Sequence, residues 1–269
     1  MANLVLNRLA FGDAPYGTPS SGTPTSIGAI TRDEIVAFHD RWWRPDNAAL
    51  VITGGMEPEA AFAFAERTLG GWERPSAALP TVGARAGATP APKVIVVDLP
   101  GAGQAAVAAA VRGPRRSDDS FYPLAVVNSI IGGGQNGHLF QEVRAKRGLS
   151  YGASSALQAR VDGGLLSAAT QTKNESAAEV VALVLAEFDR LRTEAVTEQA
   201  VTDREAFVTG NFSRNVETTG GLGGVLADAV TFGLPLTGRG RGAGRDVHRR
   251  PARGAPGRGG DPGGGAGSG

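Results

Sequence analysis

The chain contains no cysteine and only three histidines among its 269 residues. Without thiols it can form neither disulfides nor cysteine-ligated metal sites, and it has no cysteine nucleophile. His39, His138 and His248 are too far apart in the sequence to form a paired-histidine metal motif on one helix. Every apolar run falls short of the roughly 18 residues that a membrane helix needs. We therefore expect no metal ligand set, no metal cofactor and no membrane contact in this chain.

Charge is distributed unevenly along the sequence. The net charge is +1, but residues 237–269 hold 7 Arg and 2 Asp, which leaves 20 basic and 24 acidic residues in 1–236. The body is thus mildly acidic and does not favour a nucleic-acid partner. The tail consists mostly of Gly, Arg, Ala and Pro, whose codons are GC-rich, and we interpret it as a disordered frameshift product. An Arg/Gly tail that binds RNA is the alternative, although no aromatic residue lies between its arginines.

The start of the chain, MANLVLNRLAFGD, lacks the charged region, apolar core and cleavage site of a secretory signal peptide. This leaves the periplasm and the cytoplasm both open as compartments. Hydrophobic residues make up 41% of the chain, which is enough for packed cores. The length allows two domains of ordinary size.

Residues 1–72 are predicted to contain helices, a loop and one strand. A short helix at the start is followed by a loop rich in Gly, Pro and Ser. Thr31 and Glu34 have the spacing of a capping box, which predicts a helix from there to Arg44. We expect a buried strand over Asn47–Thr53 and a helix from Pro58 to Leu69. Residues 73–92 show no periodicity and are predicted to be a linker.

Residues 93–236 are predicted to form a second domain. We expect two strands, then two helices, two strands and at least two further helices. This order predicts an α+β fold, a two-layer sandwich of sheet and helices. The individual predictions are strands at Lys93–Leu99, Gln104–Val111, 151–159 and Gly164–Thr170, and helices at Tyr122–Ile131, 138–147, 175–193, 197–217 and 222–232.

The stretch GGGQNGHLFQEVRAKRGLSY is the most informative part of the chain. Gly132–Gly134 ends the preceding apolar run, because glycine tolerates the φ values of a sharp bend. A helical pattern begins at His138, and Gly148 stands where a helix C-cap favours glycine. Arg144 at the helix end and Tyr151 at the next strand can then point towards one place. A guanidinium and a phenol are suited to a peptide carbonyl that gains negative charge.

The simpler alternative is that Arg144 is a solvated cation at a helix end and Tyr151 a half-buried strand residue. Two further patterns favour structural roles. Gly132–Gly137 matches G-x-G-x-x-G, but it follows a helix rather than the strand that a dinucleotide site requires. His138 and Glu142 are four residues apart and are expected to form an exposed pair rather than a metal site. His39 is expected to pack beside Trp42 or Trp43.

The central stretch resembles the second-domain motif of the pitrilysin/insulinase-like zinc peptidases, whose metal motif is H-x-x-E-H. The resemblance implies that Arg144 and Tyr151 contact the substrate backbone and that the glycine loop Gly132, Gly133 and Gly134 helps to admit substrate. The matching residues are Gly132, Gly133, Gly134, Leu139, Phe140, Glu142, Val143, Arg144, Arg147, Gly148, Leu149 and Tyr151.

The resemblance extends to Trp42–Asn47, an aromatic pair followed by Arg-Pro-Asp-Asn. It implies that residues 1–72 are the C-terminal half of a first peptidase-like domain and that 93–236 are most of a second. The zinc-bearing half is then expected upstream or on a partner subunit, and this chain is expected to be noncatalytic, with no catalytic residue of its own. Its expected role is to grip a peptide substrate. A structural subunit without a peptidase role is the alternative.

Overall fold

The computed structural model describes residues 1–236, so the tail at 237–269 and the predictions made for it lie outside the described residues. Eight α-helices and three strands are found in the described part. The helices are α1 (Ala2–Phe11), α2 (Pro24–Ala29), α3 (Arg32–Trp42), α4 (Pro58–Leu69), α5 (Phe121–Gly132), α6 (Ala177–Thr193), α7 (Glu198–Val216) and α8 (Thr219–Thr231). The strands are β1 (Ala105–Gly113), β2 (Ala153–Ala159) and β3 (Gly164–Thr172).

The three strands form one antiparallel sheet in the order β1-β3-β2. The register pairs Ala105 with Thr172 and Ala153 with Thr170. One face of the sheet is covered by α5 and α6, and the main apolar core lies between these layers. This arrangement confirms the predicted α+β fold. The core residues are Val107, Ile131, Leu139, Val143, Ala153, Leu166, Ala168, Val180 and Val184.

The opposite face of the sheet is covered at one end by α1. Phe11 packs there with Ala86 and Leu165 in a second, smaller core. The Arg112 guanidinium reaches from β1 and donates to the carbonyl oxygens of Ala10 at 3.0 Å and Ala86 at 2.9 Å. It also lies 4.5 Å from the centre of the Phe11 ring. Burial lowers the pKa of Arg112.

The helix boundaries follow the predicted capping residues. Thr31 caps α3, since its hydroxyl accepts from the Glu34 amide while the Glu34 carboxylate accepts from the Thr31 amide. His39 stacks on Trp43 with ring centres 6.3 Å apart, which confirms the expected packing. Across residues 1–236, no helix is both long enough and apolar enough to cross a membrane.

Two predicted strands are wrong. Asn47–Thr53 and Lys93–Leu99 contain no strand residue, and both stretches are largely exposed. Val94, for example, is 88% exposed. Both stretches are rich in β-branched residues, but a strand also needs a neighbouring strand to pair its backbone groups. No described strand lies beside either stretch, so the sheet has three strands rather than four.

Candidate functional site

The glycine loop Gly132–Gly134, called the hinge below, lies where the end of α5 meets β2. A Cβ atom at Gly132 would collide with the backbone nitrogen of Ser155, so the close approach of helix and strand requires glycine here. Gly134 has a φ of 72°, which an L-residue rarely adopts. Arg204 on α7 donates to the carbonyl oxygen of Gly133 at 3.2 Å and holds the loop in place. The hinge thus has a clear packing role.

The helix after the hinge is wound as a π-helix over Phe140–Ala145. The Lys146 amide donates to the Gln141 carbonyl five residues earlier at 2.9 Å. Gly148 follows with a φ of 63° and donates to the Arg144 carbonyl, as the C-cap prediction requires. Single π-helical turns are frequent at functional sites. The predicted strand at Tyr151 begins two residues later, at Ala153.

Arg144 and Tyr151 are in direct contact. The Nη1 atom of Arg144 donates to the backbone carbonyl of Tyr151 at 2.6 Å. The guanidinium carbon lies 4.5 Å from the centre of the Tyr151 ring and 5.1 Å from that of Phe140. Tyr151 is 87% exposed. The structure therefore places the two predicted residues together, with the phenol ring projecting into solvent.

A cavity of about 710 Å³ opens between the hinge, Tyr151 and the end of β3. Gly132, Gly134 and Tyr151 line it, whereas Gly133 and Arg144 do not. Phe140 forms part of the wall, and the rings of Phe140 and Tyr151 both lie next to the Arg144 guanidinium. The lining residues are Gln104, Gly132, Gly134, Gln135, Phe140, Gly148, Leu149, Ser150, Tyr151, Gly152, Ala153, Ser154, Gln171, Thr172 and Lys173.

Two threonines on β3 fix the turn that carries Tyr151. The Thr172 hydroxyl donates to the Leu149 carbonyl at 2.6 Å, and the Thr170 hydroxyl donates to the Gly152 carbonyl at 2.7 Å. Both threonines are buried. Sequence reasoning missed them, although a signal was present. They continue the row of core-facing positions after Leu166 and Ala168, where a polar side chain needs a hydrogen-bond partner.

The expected pair of His138 and Glu142 is not formed. His138 Nδ1 lies 3.2 Å from the Glu187 carboxylate of α6, and Arg190 donates to the same carboxylate at 3.1 Å. Glu187 is buried, and a buried carboxylate requires such partners. Glu142 instead binds Lys146 and Arg147, which lower the pKa of its carboxyl group. His138 thus takes a long-range partner on α6, whereas Glu142 forms a different i,i+4 pair, with Lys146.

The described residues do not fit a zinc ion. In residues 1–236 no group of three or more His, Asp or Glu side chains could hold a metal. His138 and Glu187 are adjacent, but the cationic Arg190 lies 3.4 Å from the same imidazole nitrogen. The positive charge of Arg190 would repel a divalent metal ion at this position. No catalytic step is therefore assigned to a metal on these residues.

Sequence comparison decides the family. Residues 29–204 match the family description "Peptidase M16 inactive domain". The chain belongs to the peptidase M16 family. This confirms the resemblance to the pitrilysin/insulinase-like zinc peptidases, and the matched part is a noncatalytic domain of that family.

Curated relatives are named as zinc proteases. An uncharacterized zinc protease of Mycobacterium bovis is 30% identical over 203 residues, which cover 74% of this chain and 45% of the relative. One from Mycobacterium leprae is 35% identical over 162 residues, covering 58% of this chain and 35% of the relative. The chain thus spans about half the length, or less, of the curated relatives it matches.

Solved structures confirm the fold. The peptidase M16 inactive domain from Pseudomonas fluorescens superposes with a TM-score of 0.83 at 24% identity, covering 93% of this chain and 59% of that one. A protease from Helicobacter pylori gives a TM-score of 0.76 at 20% identity, covering 82% and 53%. At these identities the likeness concerns architecture alone.

Proposed function

We propose that this chain forms the noncatalytic, substrate-gripping wall of a peptide-binding chamber, with Arg144 and Tyr151 as the gripping residues. The observation that carries the proposal is the exposed Tyr151 ring stacked on the Arg144 guanidinium at the rim of the 710 Å³ cavity. A large aromatic side chain that is 87% exposed buries little apolar surface of its own. Its position suits contact with a ligand.

The donors at this rim suit a peptide backbone. A guanidinium has five N–H donors, so the bond to the Tyr151 carbonyl leaves others for a substrate carbonyl. That internal bond also holds the side chain in one orientation before substrate arrives. Fixed donors are effective where negative charge develops, because they need no reorganisation. Arg144 and Tyr151 are thus suited to polarise or position a peptide carbonyl.

The adjoining strand offers a second means of holding peptide. β2 pairs with β3 on one side and is one of the two edge strands of the described sheet. Ala153 and Ser154, at the start of β2, line the cavity. An edge strand presents backbone groups to which an extended peptide can add. The glycine loop Gly132–Gly134 borders the same space without side chains and would leave room for the substrate to enter.

The zinc in this proposal lies outside residues 1–236, either on a zinc-bearing family subunit or in the half of the relatives that this chain does not span. That partner would supply metal-assisted peptide hydrolysis. Apolar surface on the first domain supports such an association. Phe38 on α3 is 67% exposed and Phe62 on α4 is 76% exposed. Exposed apolar patches of this kind are typical of protein interfaces.

A structural subunit without a peptidase role is the second candidate. One solved structure that the chain resembles, with a TM-score of 0.71 at 14% identity, is Complex III2 from Candida albicans. The grip and the structural role predict different effects for one substitution. Tyr151→Phe removes only a hydroxyl, so it alters substrate contact while leaving packing unchanged.

The decisive experiment is reconstitution of the chain with a zinc-bearing family partner and measurement of peptide cleavage. Tyr151→Phe should lower kcat by about a hundredfold, since one lost donor costs on the order of 3 kcal/mol. Assembly, followed by gel filtration, should be unchanged. Tyr16→Phe is the matched control, because Tyr16 packs on Phe11 away from the cavity. Normal turnover by the Tyr151→Phe complex would contradict the proposed gripping role and favour the structural role.

A further inference from the structure

The cavity-lining side chains carry charge of one sign only. Lys173, at the end of β3, is the only lining residue with a basic side chain, and no Asp or Glu is among the fifteen lining residues. Arg144 adds a second cation next to the aromatic rings of Phe140 and Tyr151. Within residues 1–236, the Lys173 ammonium group has no ion pair or side-chain hydrogen bond in the structure. The cavity is therefore a neutral, partly aromatic surface beside an unpaired positive charge.

No carboxylate lies beside Lys173 on the cavity wall. Glu142 is bound by Lys146 and Arg147, and these bonds lower the pKa of its carboxyl group, so it remains ionised and paired. Glu175 follows Lys173 by two residues but does not line the cavity. Glu187 is bound by His138 and Arg190 on the α6 side of the core. A ligand in the cavity thus meets Lys173 without a competing carboxylate on the cavity wall.

We propose that the cavity selects peptides that place an acidic side chain against Lys173 and an apolar or aromatic side chain against Phe140 and Tyr151. This inference rests on the proposed function, because it assumes that a peptide occupies the cavity. Opposite charge attracts the acidic residue, and a basic residue at the same place is repelled. The aromatic rings contribute apolar contact area and define the neighbouring position.

Three fluorescent peptides test the selection. They share one sequence with a central Phe and differ at one adjacent position, which is Glu, Gln or Lys. Fluorescence anisotropy with the whole chain should give the affinity order Glu, Gln, Lys, with about a three- to fivefold step between them, as is typical of exposed ion pairs. The steps should shrink as salt is raised, because the charges are solvent-exposed.

Substitution of the lysine assigns the effect to this residue. Lys173→Gln should make the Glu and Gln peptides bind alike, and Lys173→Glu should reverse the order of the Glu and Lys peptides. Lys93→Gln removes the same charge outside the cavity lining and should leave the order unchanged. Equal affinity of the wild-type chain for all three peptides would overturn the selection but leave the proposed peptide grip intact. Failure of every peptide to bind would overturn both.

Discussion

At Gly132 a single hydrogen atom in place of a side chain allows α5 to approach β2. Alanine at this position would push its Cβ into the backbone of Ser155, and backbone cannot move aside as a flexible side chain can. We expect Gly132→Ala to lower the free energy of unfolding by about 3 kcal/mol, near the upper end for overpacking in a core.

Thermal unfolding of matched variants measures this effect. Gly152→Ala is the control, because a Cβ atom there meets no other atom within 4 Å and Gly152 has no positive φ. The control should unfold close to the wild-type temperature. Equal stability of the two variants would mean that the hinge is looser than the structure indicates.

Arg144 depends on its planar shape as well as on its charge. A lysine ammonium keeps the charge but cannot stack on Tyr151 and donate to the Tyr151 carbonyl in the same geometry. We expect Arg144→Lys to weaken peptide binding about tenfold or more, as loss of a charge-assisted hydrogen bond does. Arg192→Lys, on the outer surface of α6, should bind as the wild type does. Unchanged peptide binding by Arg144→Lys would show that a positive charge at this position is sufficient and that the planar guanidinium is not needed.

At the scale of elements, the π-helical segment is stabilised by the pairing of Glu142 with Lys146 and Arg147. These partners hold the pKa of the Glu142 carboxyl below its ordinary value of 4.5, with Lys146 having the larger effect. These two ion pairs therefore stabilise the folded state at neutral pH. That contribution is lost as the pH falls below about 4.5 and through the lowered pKa of the folded state.

Acid titration of stability tests this pair. We expect Glu142→Gln to be slightly less stable than the wild type at pH 7 and to match it more closely at pH 3, in chemical denaturation monitored by circular dichroism. Glu73→Gln removes an exposed carboxylate that forms no ion pair in the described structure, and its difference from the wild type should vary less with pH. The same pH dependence in both variants would contradict a specific role for Glu142.

Elements with strong local patterns were predicted well from the sequence. The boundaries of α3 and α4 follow from Thr31 and Pro58, and β3 follows from its apolar run. The strand predictions for Asn47–Thr53 and Lys93–Leu99 were wrong, because a strand needs a neighbouring strand and the local sequence cannot reveal one.

At the candidate site too, the local features were predicted and the long-range contacts were not. The turn at Gly148 was enough to predict that Arg144 and Tyr151 meet. It could not predict that Arg144 binds the Tyr151 backbone, nor that Thr170 and Thr172 hold the turn from β3. The threonine contacts depend on how the strands pack in three dimensions, and the Arg144 contact depends on the detailed geometry of the turn. For the same reason the local pairing of His138 with Glu142 was wrong, because Glu187 of α6 comes within reach only in the folded chain.

At the scale of the whole molecule, apolar burial differs between the two parts of the chain. The main core lies entirely between Val107 and Val184, whereas α3 and α4 have no buried residue. We expect backbone amides of α5 and β3 to exchange much more slowly than those of α3 and α4. Local opening is easiest where few apolar contacts must be broken.

Hydrogen exchange followed by mass spectrometry measures this difference peptide by peptide. A zinc-bearing family partner, if it covers residues 1–72, should slow exchange in α3 and α4 and leave β3 unchanged. Equal protection of both parts in the isolated chain would contradict the uneven distribution of the core.

Zinc binding is a further property of the whole chain. Because residues 1–236 contain no ligand group suited to the metal, we expect the purified chain to retain less than one zinc per molecule and to cleave no peptide. Elemental analysis after dialysis measures the zinc content, and a fluorogenic peptide measures cleavage. One tightly held zinc per chain would show that the ligand set includes residues outside 1–236 or a geometry not present in the described fold.

The Arg112 contacts have a consequence for the way α1 is held to the sheet. Arg112, on β1, donates to the carbonyls of Ala10 and Ala86, which are far apart in sequence. Helix α1 is therefore joined to the sheet by noncovalent contacts as well as by the chain between them. We expect that a protease cut within residues 76–82 would break the polypeptide, yet leave the N-terminal fragment attached to the sheet through the packing of Phe11 and the Arg112 contacts until denaturant released it.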